Sequence, residues 1–318
     1  MKKLILIFSI IFISTCQNIK QVKIEEKAAR FQTPLEMIEW IKAPTKDYVM
    51  TVAHRGDWRN APENSIKAVS NCVDLGVEIV EIDVRMTKDS ALIVMHDLTL
   101  ERTSTGKGKI ADWPLDSLLT LKLKNGAGMK TGHKIPTLKE MMIFVKDKPI
   151  LLNLDKAWNY LPQTYEILKE TGTVQQSIFK GNEPLPKMRE KWGSYMDSIL
   201  YMPMVWPETY SIYNRDSIIT PIEYTKGFFE NFHPLAFEVI FDKEDSPVLE
   251  AVNYLNRKGT AVWINTLWPE LCAGHHDEVA IENPDAHWGL LISKGANILQ
   301  TDRPQLLIKY LKGKKLHQ

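Results

Sequence analysis

Ile79-Val80-Glu81-Ile82-Asp83-Val84, then Arg85-Met86-Thr87-Lys88-Asp89-Ser90-Ala91, then Leu92-Ile93-Val94-Met95-His96: this stretch decides the architecture of the chain. Alternation marks 79–84 as a strand, with Glu81 and Asp83 on one face and Val80, Ile82 and Val84 on the other. The run 92–96 reads as a second strand. The loop 85–91 between them is too short for a parallel crossover, which takes about a dozen residues or more. The second strand therefore returns antiparallel, as a hairpin around Lys88-Asp89-Ser90. A turn centred between Lys88 and Asp89 sets Glu81 opposite His96 and Asp83 opposite Val94.

Outward from this hairpin, apolar runs alternate with helix-like stretches. The further candidate strands are 49–53, 150–155, 177–180, 199–204, 236–241, 261–265 and 298–301. With 79–84 they make eight parallel candidates, since each gap after the hairpin is long enough for a crossover. Between strands, 65–75 sets Ile66, Val69, Cys72 and Val73 on one helical face, and 247–258 sets Val248, Val252 and Leu255 similarly before Gly259. The expected fold is an α/β, TIM-like (β/α)8 barrel over 48–318, distorted by the hairpin and carrying a small Gly-, Lys- and Thr-rich insertion at 97–136.

Composition narrows the function classes. The 318 residues carry 40 Lys+Arg against 39 Asp+Glu, so no global field steers the chain onto nucleic acid. Three cysteines are too few for a disulfide scaffold. Residues 1–16, MKKLILIFSIIFISTC, have a basic start and an apolar run from Leu4 to Ile13, too short to span a bilayer. They read as a signal peptide whose ending at Cys16 looks like a bacterial lipoprotein signal; a plain secretory signal is the alternative. Export to the periplasm or cell envelope is expected either way, with membrane contact only through a lipid at Cys16. Residues 17–47 are then a tether and N-terminal extension.

The chemistry gathers at strand ends. His54 and Arg55 follow the first strand, at the end of a barrel where sites form. Glu81 and Asp83 point into the barrel mouth because their opposite face is apolar. Two buried like charges require compensation, and a divalent cation with oxygen ligands supplies it. Asp155 ends the fourth run and offers a third oxygen ligand, and His96 stands beside the carboxylates through the hairpin. Arg55 provides a planar donor fork for phosphate oxygens. Two imidazoles, a hard cation and an arginine form a set that cleaves phosphodiesters.

These residues also fall in a known pattern. His54-Arg55-Gly56, Pro62-Glu63-Asn64-Ser65, Glu81-Ile82-Asp83, His96-Asp97 and Arg102-Thr103-Ser104-Thr105-Gly106-Lys107-Gly108 resemble the glycerophosphodiester phosphodiesterase family, as do Ile135-Pro136-Thr137-Leu138 and Thr301-Asp302-Arg303-Pro304. The resemblance implies that His54 and His96 are general base and general acid. It implies that Glu81 and Asp83 bind Ca2+ or Mg2+, that a later acidic residue, here Asp155, joins them, and that the partner is a small phosphodiester. Glu63 is expected behind the metal or on a substrate hydroxyl. The chain departs from the pattern at Asn153-Leu154-Asp155-Lys156, where the lysine is displaced by one onto the other strand face. Lys180 is the candidate to meet the phosphate in its place.

Other residues stay open. Trp263 shares a face with Asn265 and reads as a wall of the substrate pocket or as a core tryptophan. Trp206, Tyr210 and Trp268 follow strands and either recognise the alcohol or cover the barrel. His275-His276-Asp277 reads as a solvated loop rather than a metal cluster. The leading function is hydrolysis of glycerophosphodiesters to glycerol 3-phosphate and an alcohol. A different head group, such as an inositol or sugar, and a non-catalytic phospho-ligand-binding lipoprotein are the alternatives. A two-carboxylate glycosidase is disfavoured, because acids two apart on one strand cannot flank a sugar bond.

Overall fold

Strand alternation sorts the side chains of the barrel into an inner and an outer set. The computed structural model describes residues 30–210, 218–230 and 232–318; the expected signal peptide, Cys16 and the expected tether up to residue 29 lie outside them. Eight parallel strands close into a barrel: β1 (Met50–His54), β2 (Ile79–Met86), β4 (Leu151–Asp155), β5 (Ser177–Gly181), β6 (Leu200–Val205), β7 (Ala236–Val239), β8 (Ala261–Asn265) and β9 (Ile298–Thr301). β3 (Leu92–Val94) is antiparallel to β2. β1 pairs with both β9 and β2, which completes the closure. Outward residues such as Val80, Ile82, Leu154, Phe179 and Ile264 are buried under the surrounding helices.

The inner set changes character with height. At the floor Met50, Ile79, Leu151, Ile178, Met202, Trp263 and Ile298 form an apolar layer. One strand step higher stand Glu81, Asn153, Lys180, Glu238, Asn265 and Gln300. Higher again, at the C-terminal mouth, stand His54, Asp83 and Asp155. The barrel is therefore dry and apolar at one end and charged at the other.

The hairpin register differs from the expected one by a residue. Val84 pairs with Val94, Arg85 with Ile93 and Met86 with Leu92. The loop holds three residues, not two: Thr87 N donates to Ala91 O at 2.9 Å, and Ser90 takes the left-handed conformation at φ 63°. Asp83 consequently faces Met95, whose N–H donates to Asp83 O at 2.9 Å. His96 lies beyond the strand, its carbonyl held by Arg85 Nε at 2.9 Å.

The N-terminal extension contains a helix, Pro34–Lys42, which the sequence reading did not single out. Thr33 Oγ1 accepts from Glu36 N at 3.2 Å and Pro34 opens the first turn. Its Met37, Ile38, Trp40 and Ile41 join the floor layer and seal that end of the barrel. Residues between His96 and Thr137 wrap their own apolar cluster, Leu100, Ile110, Leu118, Leu123 and Ile135, against Ile93 and Met95. Cys72 and Cys272 are buried and unpaired with each other. No helix among the described residues is long and apolar enough to cross a membrane.

Ile41 is fully buried in this seal. Ile41→Ala should cost about 2–5 kcal/mol of unfolding free energy, measured by urea denaturation. An unchanged midpoint would show that the helix does not close the barrel floor.

Candidate active site at the barrel mouth

β1 leaves the barrel through a sharp turn. Arg55 and Gly56 are successive left-handed residues, at φ 56° and 77°. Gly56 is obligatory there, since a Cβ would come within 2.8 Å of Ala68 Cβ. The turn aims Arg55 back over the mouth. Its backbone N–H donates to Glu81 Oε2 at 3.1 Å and its Nε to His54 Nε2 at 3.2 Å. Its Nη1 donates to Glu63 Oε1 at 3.1 Å, and its Nε lies 3.7 Å from Asp83 Oδ2.

His54 Nε2 accepts from Arg55, so the ring proton sits on Nδ1, which donates to Asp302 Oδ1 at 2.8 Å. Trp58 Nε1 donates to the same oxygen at 2.7 Å. His96 is held the same way, its Nδ1 lying 2.7 Å from Asp97 Oδ1. Burial holds His96 below the ordinary imidazole value, against the opposing pull of Asp83 and Asp97.

Glu81, Asp83 and Asp155 present oxygens that all lie within 4.8 Å of one another. β2 and β4 pair in register, Glu81 beside Asn153 and Asp83 beside Asp155, which creates the cluster. Burial, reinforced by Asp83, pushes Glu81 up to about 7. Burial would raise Asp83 too, but Lys156 overcomes it and holds the carboxyl below the usual range. Asn64, left-handed at φ 59°, clamps Asp83 twice: its Nδ2 donates to Oδ2 at 2.8 Å, and its Oδ1 accepts from Asp83 N at 3.0 Å. Compact, hard oxygen donors of this kind suit Ca2+ or Mg2+ rather than a soft metal.

Several expectations are corrected. Lys156 does not point away from the mouth. Its backbone is left-handed at φ 63°, and its ammonium returns to contact Asp83 and, at 2.8 Å, Asp155 Oδ2. Lys180 is not a mouth residue. It is buried one layer lower, 3.4 Å from Glu238 Oε2 and 3.9 Å from Asp155 Oδ1. Trp263 does not wall a pocket: it is fully buried in the floor, its Nε1 donating to Asn265 Oδ1 and Gln300 Oε1 at 3.0 Å. The aromatics at the mouth are Trp58 and Trp268, the latter 45% exposed and edge-on to His54 at 5.6 Å. Glu63 meets Arg55 and Arg102 instead of the carboxylate cluster. Asp277 is not solvated. It is buried, accepts from Asp302 N at 2.7 Å and Thr266 Oγ1 at 2.6 Å, and burial pushes it up to about 6. His275 pairs with His287, Nδ1 to Nδ1 at 3.0 Å, and with Glu244.

Asp302, Asn64, Arg85, Glu238 and Arg102 carried no assigned role in the sequence reading. The first two and Arg102 lay in the motif blocks quoted above, which was the signal available. A cleft of about 610 Å3 opens over His54, Arg55, Trp58, Glu63, Trp268 and Asp302.

The eight-stranded α/β barrel thus gathers two imidazoles, an arginine and a carboxylate cluster at its C-terminal mouth. Residues 54–190, less than half of the chain, match the glycerophosphoryl diester phosphodiesterase family. Residues 201–311 match a second family, described as a domain of unknown function. A glycerophosphodiester phosphodiesterase of Caldanaerobacter subterraneus subsp. tengcongensis is 40% identical over 107 residues, 33% of this chain and 44% of that protein. Glycerophosphodiester phosphodiesterase 1 of Mus musculus is 34% identical over 98 residues, 30% of each chain. The chain thus matches less than half the length of these curated relatives. Among solved structures, a glycerophosphoryl diester phosphodiesterase from Parabacteroides distasonis superposes with a TM-score of 0.72 at 22% identity, covering 90% of this chain and 94% of that one. An Oleispira antarctica phosphodiesterase in complex with the product sn-glycerol-3-phosphate gives 0.59 at 20% identity, covering 88% and 100%. At these identities the structures establish the shared fold.

A Glu81 raised to about 7 holds its proton at mildly acid pH, and cation binding requires the carboxylate. Calcium binding at pH 6 should therefore release a proton, read as a dependence of calorimetric enthalpy on buffer ionisation, and affinity should rise with pH through 7. Proton-free binding would place the cation away from Glu81.

Proposed function

We propose that this chain hydrolyses glycerophosphodiesters to glycerol 3-phosphate and an alcohol, using Ca2+ or Mg2+ held by Glu81, Asp83 and Asp155. One observation carries the reading: two imidazoles, each bonded through Nδ1 to a carboxylate, border a three-carboxylate cluster with Arg55 among them. The family of residues 54–190 and the names of the matched relatives support it. A divalent cation bound there supplies positive charge against the phosphoryl oxygens.

The protein's own groups do the rest. Arg55 lines the cleft, and no partner meets its Nη2 among the described residues, which leaves donors for a phosphodiester oxygen. With its proton fixed on Nδ1, His54 can take a nucleophile's proton at Nε2 once the lone pair there gives up its bond from Arg55 Nε. Asp302 then stabilises the imidazolium. His96, paired with Asp97, is the second proton carrier, so that one imidazole takes a proton and the other returns one to the leaving alkoxide. Lys156, already among the carboxylates, is placed to join the phosphate charge balance. We further propose, on residues 1–16, that the protein is exported and carries a lipid at Cys16.

The test is release of glycerol 3-phosphate from a panel of glycerophosphodiesters, after EDTA treatment and after return of Ca2+ or Mg2+. Activity should vanish with chelation and return with the cation. His54→Ala and His96→Ala should each lose about 10²–10⁴-fold in kcat. A folded, metal-loaded protein that cleaves no glycerol diester would overturn the assignment.

A further inference from the structure

We infer that Arg102, carried by the insertion, is a positioning residue that ties the two imidazoles of the site into one rigid unit. This rests on the phosphodiesterase reading above. Arg102 Nε and Nη2 donate to Asp97 Oδ2 and Oδ1, both at 2.8 Å. Its Nη1 and Nη2 donate to Glu63 Oε2 and Oε1, at 2.6 and 2.8 Å. One guanidinium thus grips two carboxylates, each in bidentate fashion. Asp97 holds His96, and Glu63 holds Arg55, whose Nε reaches His54. The result is a continuous path from His96 through Asp97, Arg102, Glu63 and Arg55 to His54.

Two features separate positioning from substrate binding. Four of the five guanidinium N–H groups are committed to carboxylates, so little donor capacity is left for a phosphate. The side chain is also 48% exposed, whereas the carboxylates it grips are 23% and 13% exposed. Arg102 therefore closes the network from the solvent side. Arg102 is not part of the insertion's apolar cluster, which is built from Leu100, Ile110, Leu118, Leu123 and Ile135. A lysine cannot replace it, since one ammonium cannot match four oxygens in a plane.

Arg102→Lys and Arg102→Ala should lower kcat about tenfold or more while KM stays within about twofold. Added guanidinium ion should restore much of the Arg102→Ala loss and none of the Arg102→Lys loss. In nitrogen-15 spectra of labelled histidine, the ring signals of both His96 and His54 should move in Arg102→Ala, although Arg102 touches neither ring. A raised KM with kcat intact would reassign Arg102 to substrate binding and overturn the inference. Unmoved His54 signals would overturn it as well. If the wild-type protein cleaves no glycerol diester, the phosphodiesterase reading fails, and the histidine signals alone decide the coupling.

Discussion

Three carboxylates whose oxygens lie within 4.8 Å of one another, with Glu81 and Asp83 buried, cannot all stay ionised without compensation. Much of the mouth answers that constraint. Lys156 bends back to Asp83 and Asp155, Lys180 supports Asp155 from below, and Asn64 and the Arg55 N–H donate to Asp83 and Glu81. Even so, Glu81 stays near neutrality in its pKa, so the cluster retains an unmet demand for positive charge. A hard divalent cation would meet that demand.

The same constraint explains the backbone strain. Non-glycine residues rarely adopt positive φ, yet Arg55, Asn64 and Lys156 all do, and all three touch the carboxylates. Such conformations cost on the order of 1 kcal/mol or more each and persist where the surroundings over-determine them. Here the surroundings are the buried charges themselves. Each left-handed residue turns a donor toward one or more of these acids.

This also marks where sequence reading ends. Alternation revealed the strands, the inward faces of Glu81 and Asp83, and the hairpin, because period and loop length are visible in one dimension. The sign of φ is not visible. A left-handed Ser90 moved the hairpin register by one, and a left-handed Lys156 brought back a side chain expected on the far face. Height within the barrel was hidden as well: Trp263 does face inward, but at the sealed floor, and Lys180 one layer below the mouth. Asp302 stood in a quoted block, yet its bond to His54 spans 248 residues of chain, which no local pattern reports.

The sealed floor sets how traffic must run. The Pro34–Lys42 helix and Trp263 fill the end opposite the site, so the barrel is a vessel with a mouth and no drain. Whatever enters past Trp268 and His54 leaves past them. On the proposed reaction, both fragments of a cleaved diester would share one doorway with the next arrival. The fragment that Arg55 and the charged mouth hold longer would be the last to leave.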